Sequence, residues 1–158
     1  MVDFRRHRIL TGKLCAYCGE PTVYVDSAEV YHGRSYGMIY LCRPCGAYVG
    51  VHKGTDKALG RVANAQLRIA KQLAHTAFDR LWRLKAFRIL SKTAPADKDA
   101  VWRQCRNEAY AWLSTKMGTL PSETHIGMFD EQQCARVVDV CLPYLPKSQP
   151  RPAEPVTT

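Results

Sequence analysis

Residues 15–46 read CAYCGEPTVYVDSAEVYHGRSYGMIYLCRPCG, and the two ends of that stretch repeat one another. Each end is a pair of cysteines two residues apart with a glycine behind it: Cys15 and Cys18 before Gly19, Cys42 and Cys45 before Gly46. Zinc takes four soft or borderline ligands at the corners of a tetrahedron, with sulfur about 2.3 Å from the metal. A two-residue spacer lets both sulfurs of a tight turn reach one ion. The glycine lets the chain double back while its amides stay free to point at the sulfurs. The 23 residues between Cys18 and Cys42 give room for a hairpin, so the spacing predicts one zinc held by Cys15, Cys18, Cys42 and Cys45. Four thiolates close the coordination shell, which makes the predicted site structural and not catalytic.

Other uses of the thiols fit less well. A thioredoxin-like redox pair is a single C-x-x-C at the start of a helix, whereas these two pairs sit among strand and turn residues. His32 and His52 are near enough in sequence to replace a cysteine, but four thiolates leave them unnecessary. Cys105, Cys134 and Cys141 fall on apolar helical faces and read as core.

The pattern divides the chain into an N-terminal arm at 1–12, a zinc ribbon at 13–56, a helical region at 57–143 packed on it, and a Pro-rich tail at 144–158 read as disordered. The predicted class is α+β, a ribbon with a small antiparallel sheet followed by three to four helices. Residues 22–25, 29–32, 38–41 and 47–51 are rich in β-branched and aromatic side chains and read as strands. From Leu59 the period turns helical. Leu59, Val62, Ala63, Gln66, Ile69, Ala70, Leu73 and Ala77 share one face, and Arg61, Asn64, Arg68, Lys71 and His75 the opposite one. The phase slips after Phe78 and Asp79, where a second helix or a kinked continuation is expected. A further helix, capped by Asp97 or Asp99, runs to Met117 and stops at Gly118. The last opens at Asp130 and Glu131, with Cys134, Val137, Val138, Cys141 and Leu142 as its apolar stripe.

The formal charge of +9 is uneven. Residues 61–92 carry 8 basic and 1 acidic side chains, a net +7, while residues 1–60 carry +3 and residues 93–158 carry −1. A basic protein favours phosphates or acidic surfaces as partners. The N-terminus has no apolar run behind its charges, and no stretch approaches the roughly 20 apolar residues that span a bilayer. A cytoplasmic protein without membrane contact is the expectation, and reducing surroundings argue against a disulfide framework.

The segments GRSYG, CGAYVGVHKGT and HIGMFD, together with the paired cysteines, resemble a zinc-finger-containing domain family of uncharacterised proteins from bacteria and their phages. The resemblance covers about residues 15–142. It implies the same four ligands, a phage or bacterial source and an accessory role, and nothing about an activity.

Candidate binding residues lie in three places. Arg34 and Tyr36, at a hairpin tip, suit base stacking or a phosphate grip, although Tyr36 packing over a knuckle reads as well. His52, Lys53 and Lys57 precede the basic helix, where its N-terminus would favour an anion, or they form a solvated turn. Arg61, Arg68 and Lys71 form a line of cations with almost no acidic partners nearby. His125 with Asp130 is a weak acid and base pair, better read as packing and capping. No catalytic set and no small-molecule substrate stand out. The reading is a non-enzymatic zinc protein that binds nucleic acid, DNA or RNA, through the basic helix and the ribbon hairpin. The alternative is a protein-interaction module that docks on an acidic surface of a host or phage machine. The basic helix face discriminates: if it packs against the C-terminal helices, phosphate binding loses its surface.

Overall fold

A computed structural model describes residues 3–147. A short helix α1 (Phe4–Leu10) precedes three strands, β1 (Val23–Asp26), β2 (Met38–Leu41) and β3 (Tyr48–Gly50), and then α2 (Ala65–Lys92), α3 (Lys98–Met117) and α4 (Glu131–Cys141). The protein is thus α+β, a three-stranded antiparallel meander followed by helices. The expected arm at 1–12 carries α1, which Asp3 caps and an ion pair from Arg6 to Glu123 at 2.7 Å ties down.

Side chains alternate across a strand, and each sheet face has its own use. Tyr40 and Val49, opposite one another in the register, pack with Cys15, Cys42, Ala47 and Val62 into the core of the ribbon. Residues 29–32, expected as a strand, are instead the end of a 3-10 turn over Ser27–Glu29 and a tight bend. Polar side chains hold that turn. The Asp26 carboxylate accepts from the Ala28 amide at 2.8 Å and the Ser27 hydroxyl oxygen from the Tyr36 amide at 2.7 Å. His32 and Gly33 then reverse the chain at φ 53° and 87°, a bend that ladder pairing cannot follow.

The helix α2 departs from its expected start and face. It begins at Ala65, where the Asn64 side chain accepts from the Leu67 amide at 2.9 Å, so Leu59, Arg61 and Val62 precede it. Its buried residues are Leu67, Ala74, Ala77, Phe78, Trp82 and Ala86, whereas Ile69 and Leu73 are 60% and 59% exposed. The inward stripe runs through 67, 70, 74, 78, 82, 86 and 89, at spacings of three and four throughout, and it stays in phase over all 28 residues. The slip at Phe78 belongs to the solvent stripe, not to the backbone. Small Ala74 and Ala77 leave space for Phe78, Phe129, Ile126, Val137 and Leu113 to interlock. Cys105, Cys134 and Cys141 are buried in the same core.

The other helices begin and end where expected. Asp97 caps α3, Gly118 closes it at φ 67°, and Asp130 forms a capping box with Gln133 at the start of α4. After α4 a 3-10 turn, Leu142–Tyr144, lays the Tyr144 ring edge-on against Trp112 at 5.4 Å. At the start of the tail expected from 144, Tyr144 keeps this ring contact but is otherwise exposed, and Leu145 packs against the helical core. The remainder of the tail, 148–158, lies outside the described residues.

Ribbon and helices meet at two glycines. The Arg61 amide donates to the Gly127 carbonyl at 3.1 Å, and the backbones of Gly60 and Gly127 pass so closely that a Cβ on either would overlap backbone atoms of the other strand of chain.

Candidate metal centre and surrounding surfaces

The two knuckles are one structure made twice. The Cys15 amide donates to Glu20 and the Gly19 amide to Cys15, both at 2.9 Å; the Cys42 amide donates to Ala47 and the Gly46 amide to Cys42, both at 2.8 Å. Gly19 and Gly46 adopt φ 78° and 69°, a region costly for any residue with a Cβ. The four sulfurs lie within 4.8 Å of one another. Tetrahedral zinc with bonds of about 2.3 Å has sulfur–sulfur edges of about 3.8 Å, and Cys18 Sγ already stands 3.5 Å from Cys42 Sγ. Shifts on the order of 1 Å close the shell, so the donor set fits one structural zinc. No histidine joins the cluster among the described residues.

Electrostatics show why a cation belongs there. Burial pushes the Cys42 thiol up to about 12, with the neighbouring thiols adding to the rise. The Cys18 thiol is held below its ordinary value, first by the backbone N–H of Glu20. A dication removes the conflict by stabilising all four thiolates together.

The expected line of cations is not a line. Lys71 turns into the joint between ribbon and helices and donates from Nζ to the carbonyls of Arg61 at 3.2 Å and Gly127 at 2.8 Å. Arg61 lies before the helix and is half-buried. Arg68 donates to the Ala63 carbonyl at 2.7 Å and rests over the Tyr48 ring at 4.3 Å. The apolar stripe selects this face as the inner one, so the three cations cover the joint and leave no extended phosphate track.

His52, Lys53 and Lys57 are exposed on a turn closed by the His52 amide to the Lys57 carbonyl at 2.9 Å. That turn ends well before α2, whose first amides are served by Asn64, so no helix N-terminus backs it. Asp130 caps α4, and the His125 ring sits 5.3 Å from that of Tyr110.

Arg34 and Tyr36 occupy the bend after residues 27–29, both exposed, with the guanidinium 5.3 Å from the ring centre. Beside them lies a feature that sequence reasoning missed, a hollow of about 920 Å³ lined by Tyr24, Tyr31, Tyr36 and Tyr48, with Lys53 on its rim and Ile39 in its lining. Tyr31 meets Tyr36 and Tyr48 edge-on at 5.1 and 5.8 Å, and its hydroxyl accepts from that of Tyr48 at 2.9 Å. Gly50 contributes no side chain and leaves the hollow open. Six of the eight tyrosines fall between residues 17 and 48, a density that signals such a surface.

No helix among the described residues is long and apolar enough to cross a membrane. No curated protein and no solved structure matches the chain. A family described as a zinc-finger-containing domain matches residues 11–143, which span both knuckles, the glycine joint and α4. The chain, with its four-cysteine zinc site, belongs to that zinc-finger-containing family.

Proposed function

We propose that the protein binds single-stranded nucleic acid in the tyrosine-lined hollow of its ribbon, without catalysis, and that zinc holds the hollow in shape. The hollow carries the reading. Aromatic rings are sequence-tolerant stacking platforms, worth about 1–3 kcal/mol per base. Tyr24, Tyr31 and Tyr36 are 43%, 40% and 65% exposed, an unusual number of rings to leave in water. Arg34 and Lys53 put positive charge beside them for the phosphates. Lys71 plays no direct part, because its ammonium is held at the joint, whereas Arg68, over the Tyr48 ring, adds its charge beside the hollow.

Fluorescence anisotropy with labelled single-stranded and duplex DNA and RNA tests this. Single strands bind better than duplexes, affinity falls steeply with salt, and Tyr36→Ala with Arg34→Ala weakens binding by about 1–3 kcal/mol at unchanged zinc content. Absence of binding to any oligonucleotide at low salt ends the reading.

A second reading has its own observation. Ile69, Leu73 and Phe87 are 60%, 59% and 61% exposed on α2, in company with Arg83 and Arg88, a face suited to an acidic protein surface. It takes precedence if the oligonucleotides fail.

A further inference from the structure

Arg61 lines a cleft of about 370 Å³ where three parts of the chain meet: α1, the first knuckle through Ala16, and the turn leading into α4. Its Nε is buried without a hydrogen-bond partner. Among the described residues its guanidinium has no ion-pair partner either. A guanidinium carries five N–H donors, and a buried donor left without a partner costs stability. The neighbouring Lys71 ammonium is directed at backbone carbonyls and not at a carboxylate, so it adds to the positive field instead of cancelling it.

Three carboxylates stand on the cleft walls, and each has its own bonds. Asp3 accepts from the Arg6 amide at 3.1 Å, Glu123 pairs with the Arg6 guanidinium at 2.7 Å, and Asp130 accepts from the Gln133 amide at 2.8 Å. Arg5 joins Arg61 as a second lining cation with no partner among the described residues, while Ile9, Leu10 and Met128 give the same cleft an apolar side. None of these residues lines the tyrosine hollow.

We propose that this cleft binds a small organic anion, with a carboxylate or phosphate head on Arg61 and Arg5 and an apolar body along Ile9, Leu10 and Met128. The ligand replaces the partner that Arg61 lacks and bridges the ribbon to the helical region. Charge-assisted bonds to a partly desolvated guanidinium supply the affinity, and the apolar side selects against bare inorganic ions.

The test uses the full chain with its zinc and three probes at constant ionic strength: inorganic phosphate, hexanoate and hexyl phosphate. Calorimetry and melting temperature read the binding. At least one of the two organic anions binds saturably and more tightly than inorganic phosphate, and which of them does so identifies the head group. Arg61→Met weakens that binding at least about tenfold, yet melts no lower than the wild type without ligand, because it removes a buried donor that had no partner. Arg5→Gln, at an exposed position, weakens it by a smaller factor. The proposal is overturned if neither organic anion saturates in the millimolar range, if inorganic phosphate binds as well as both, or if Arg61→Met binds like the wild type. It is overturned equally if Arg61→Met melts lower without ligand, which would make the guanidinium a structural part.

Discussion

Lys71 is half-buried in the joint, its ammonium held by two carbonyls. Burial, with the Arg61 guanidinium adding repulsion, pulls its pKa from 10.5 down to about 8. Between these values the unfolded chain holds a proton that the folded chain has released, so this group makes stability rise with pH across that window. The buried thiols Cys134 and Cys141 act in the opposite sense. Burial lifts both from 9.0 to about 11, and stability from them falls as pH rises through that range. The clean measurement is therefore the difference between wild type and Lys71→Met in urea unfolding from pH 7 to 10.5. The wild type gains on the variant as pH rises, and equal pH profiles would place the ammonium in water. Sequence alone assigned Lys71 to the outer face because its type is polar. What brings it inward is the pair of carbonyls at the joint, and no pattern in the sequence announces an acceptor 56 residues away.

At the scale of elements, the legible features were those written in local chemistry. The knuckles, the Asp97 and Asp130 caps and the Gly118 stop each need only a few neighbouring residues to form. The face of α2 was not legible in this way. Ala63, Ala70 and Ala77 of the expected face do reach the core, but Ile69 and Leu73 are more apolar than Ala74, so a hydrophobicity projection turns the face too far towards them, whereas close helix packing selects small residues. Tyr24, Tyr31, Tyr36 and Tyr48 come together only once residues 27–33 fold as a turn, and read as a strand that segment hides the hollow. The contact between Gly60 and Gly127 likewise joins two motifs that each looked like a loop. Neither glycine has a positive φ, and the constraint on both is space. Gly60→Ala and Gly127→Ala should each cost about 3 kcal/mol, the upper part of the usual overpacking range. Thermal melts check this, and a loss below about 0.5 kcal/mol for either would mean that the joint is looser than described.

At the scale of the whole molecule the described residues form two cores: one of ribbon residues around Cys15 and Cys42, the other of α2, α3 and α4 around Phe78. Val62 belongs to the first and Ala63 to the second. The ribbon core is small and includes two of the metal's own ligands, whereas the helical core contains no zinc ligand. Chelation should therefore melt the sheet and leave most of the helical circular dichroism, with the two transitions separating on heating. Metal analysis should find one zinc per chain, lost in Cys42→Ser. A metal-free protein that keeps a single transition at the original temperature would contradict the assignment. The knuckles also differ between their two sulfurs. Cys15 and Cys42 lie buried, and Cys18 and Cys45 are exposed. Each knuckle therefore gives one ligand to the interior and one to the water, and a scavenging chelator or an oxidant reaches the outer pair first. A zinc ion held there would therefore meet competing ligands from the Cys18 and Cys45 side, because the Cys15 and Cys42 sulfurs are shut into the ribbon core.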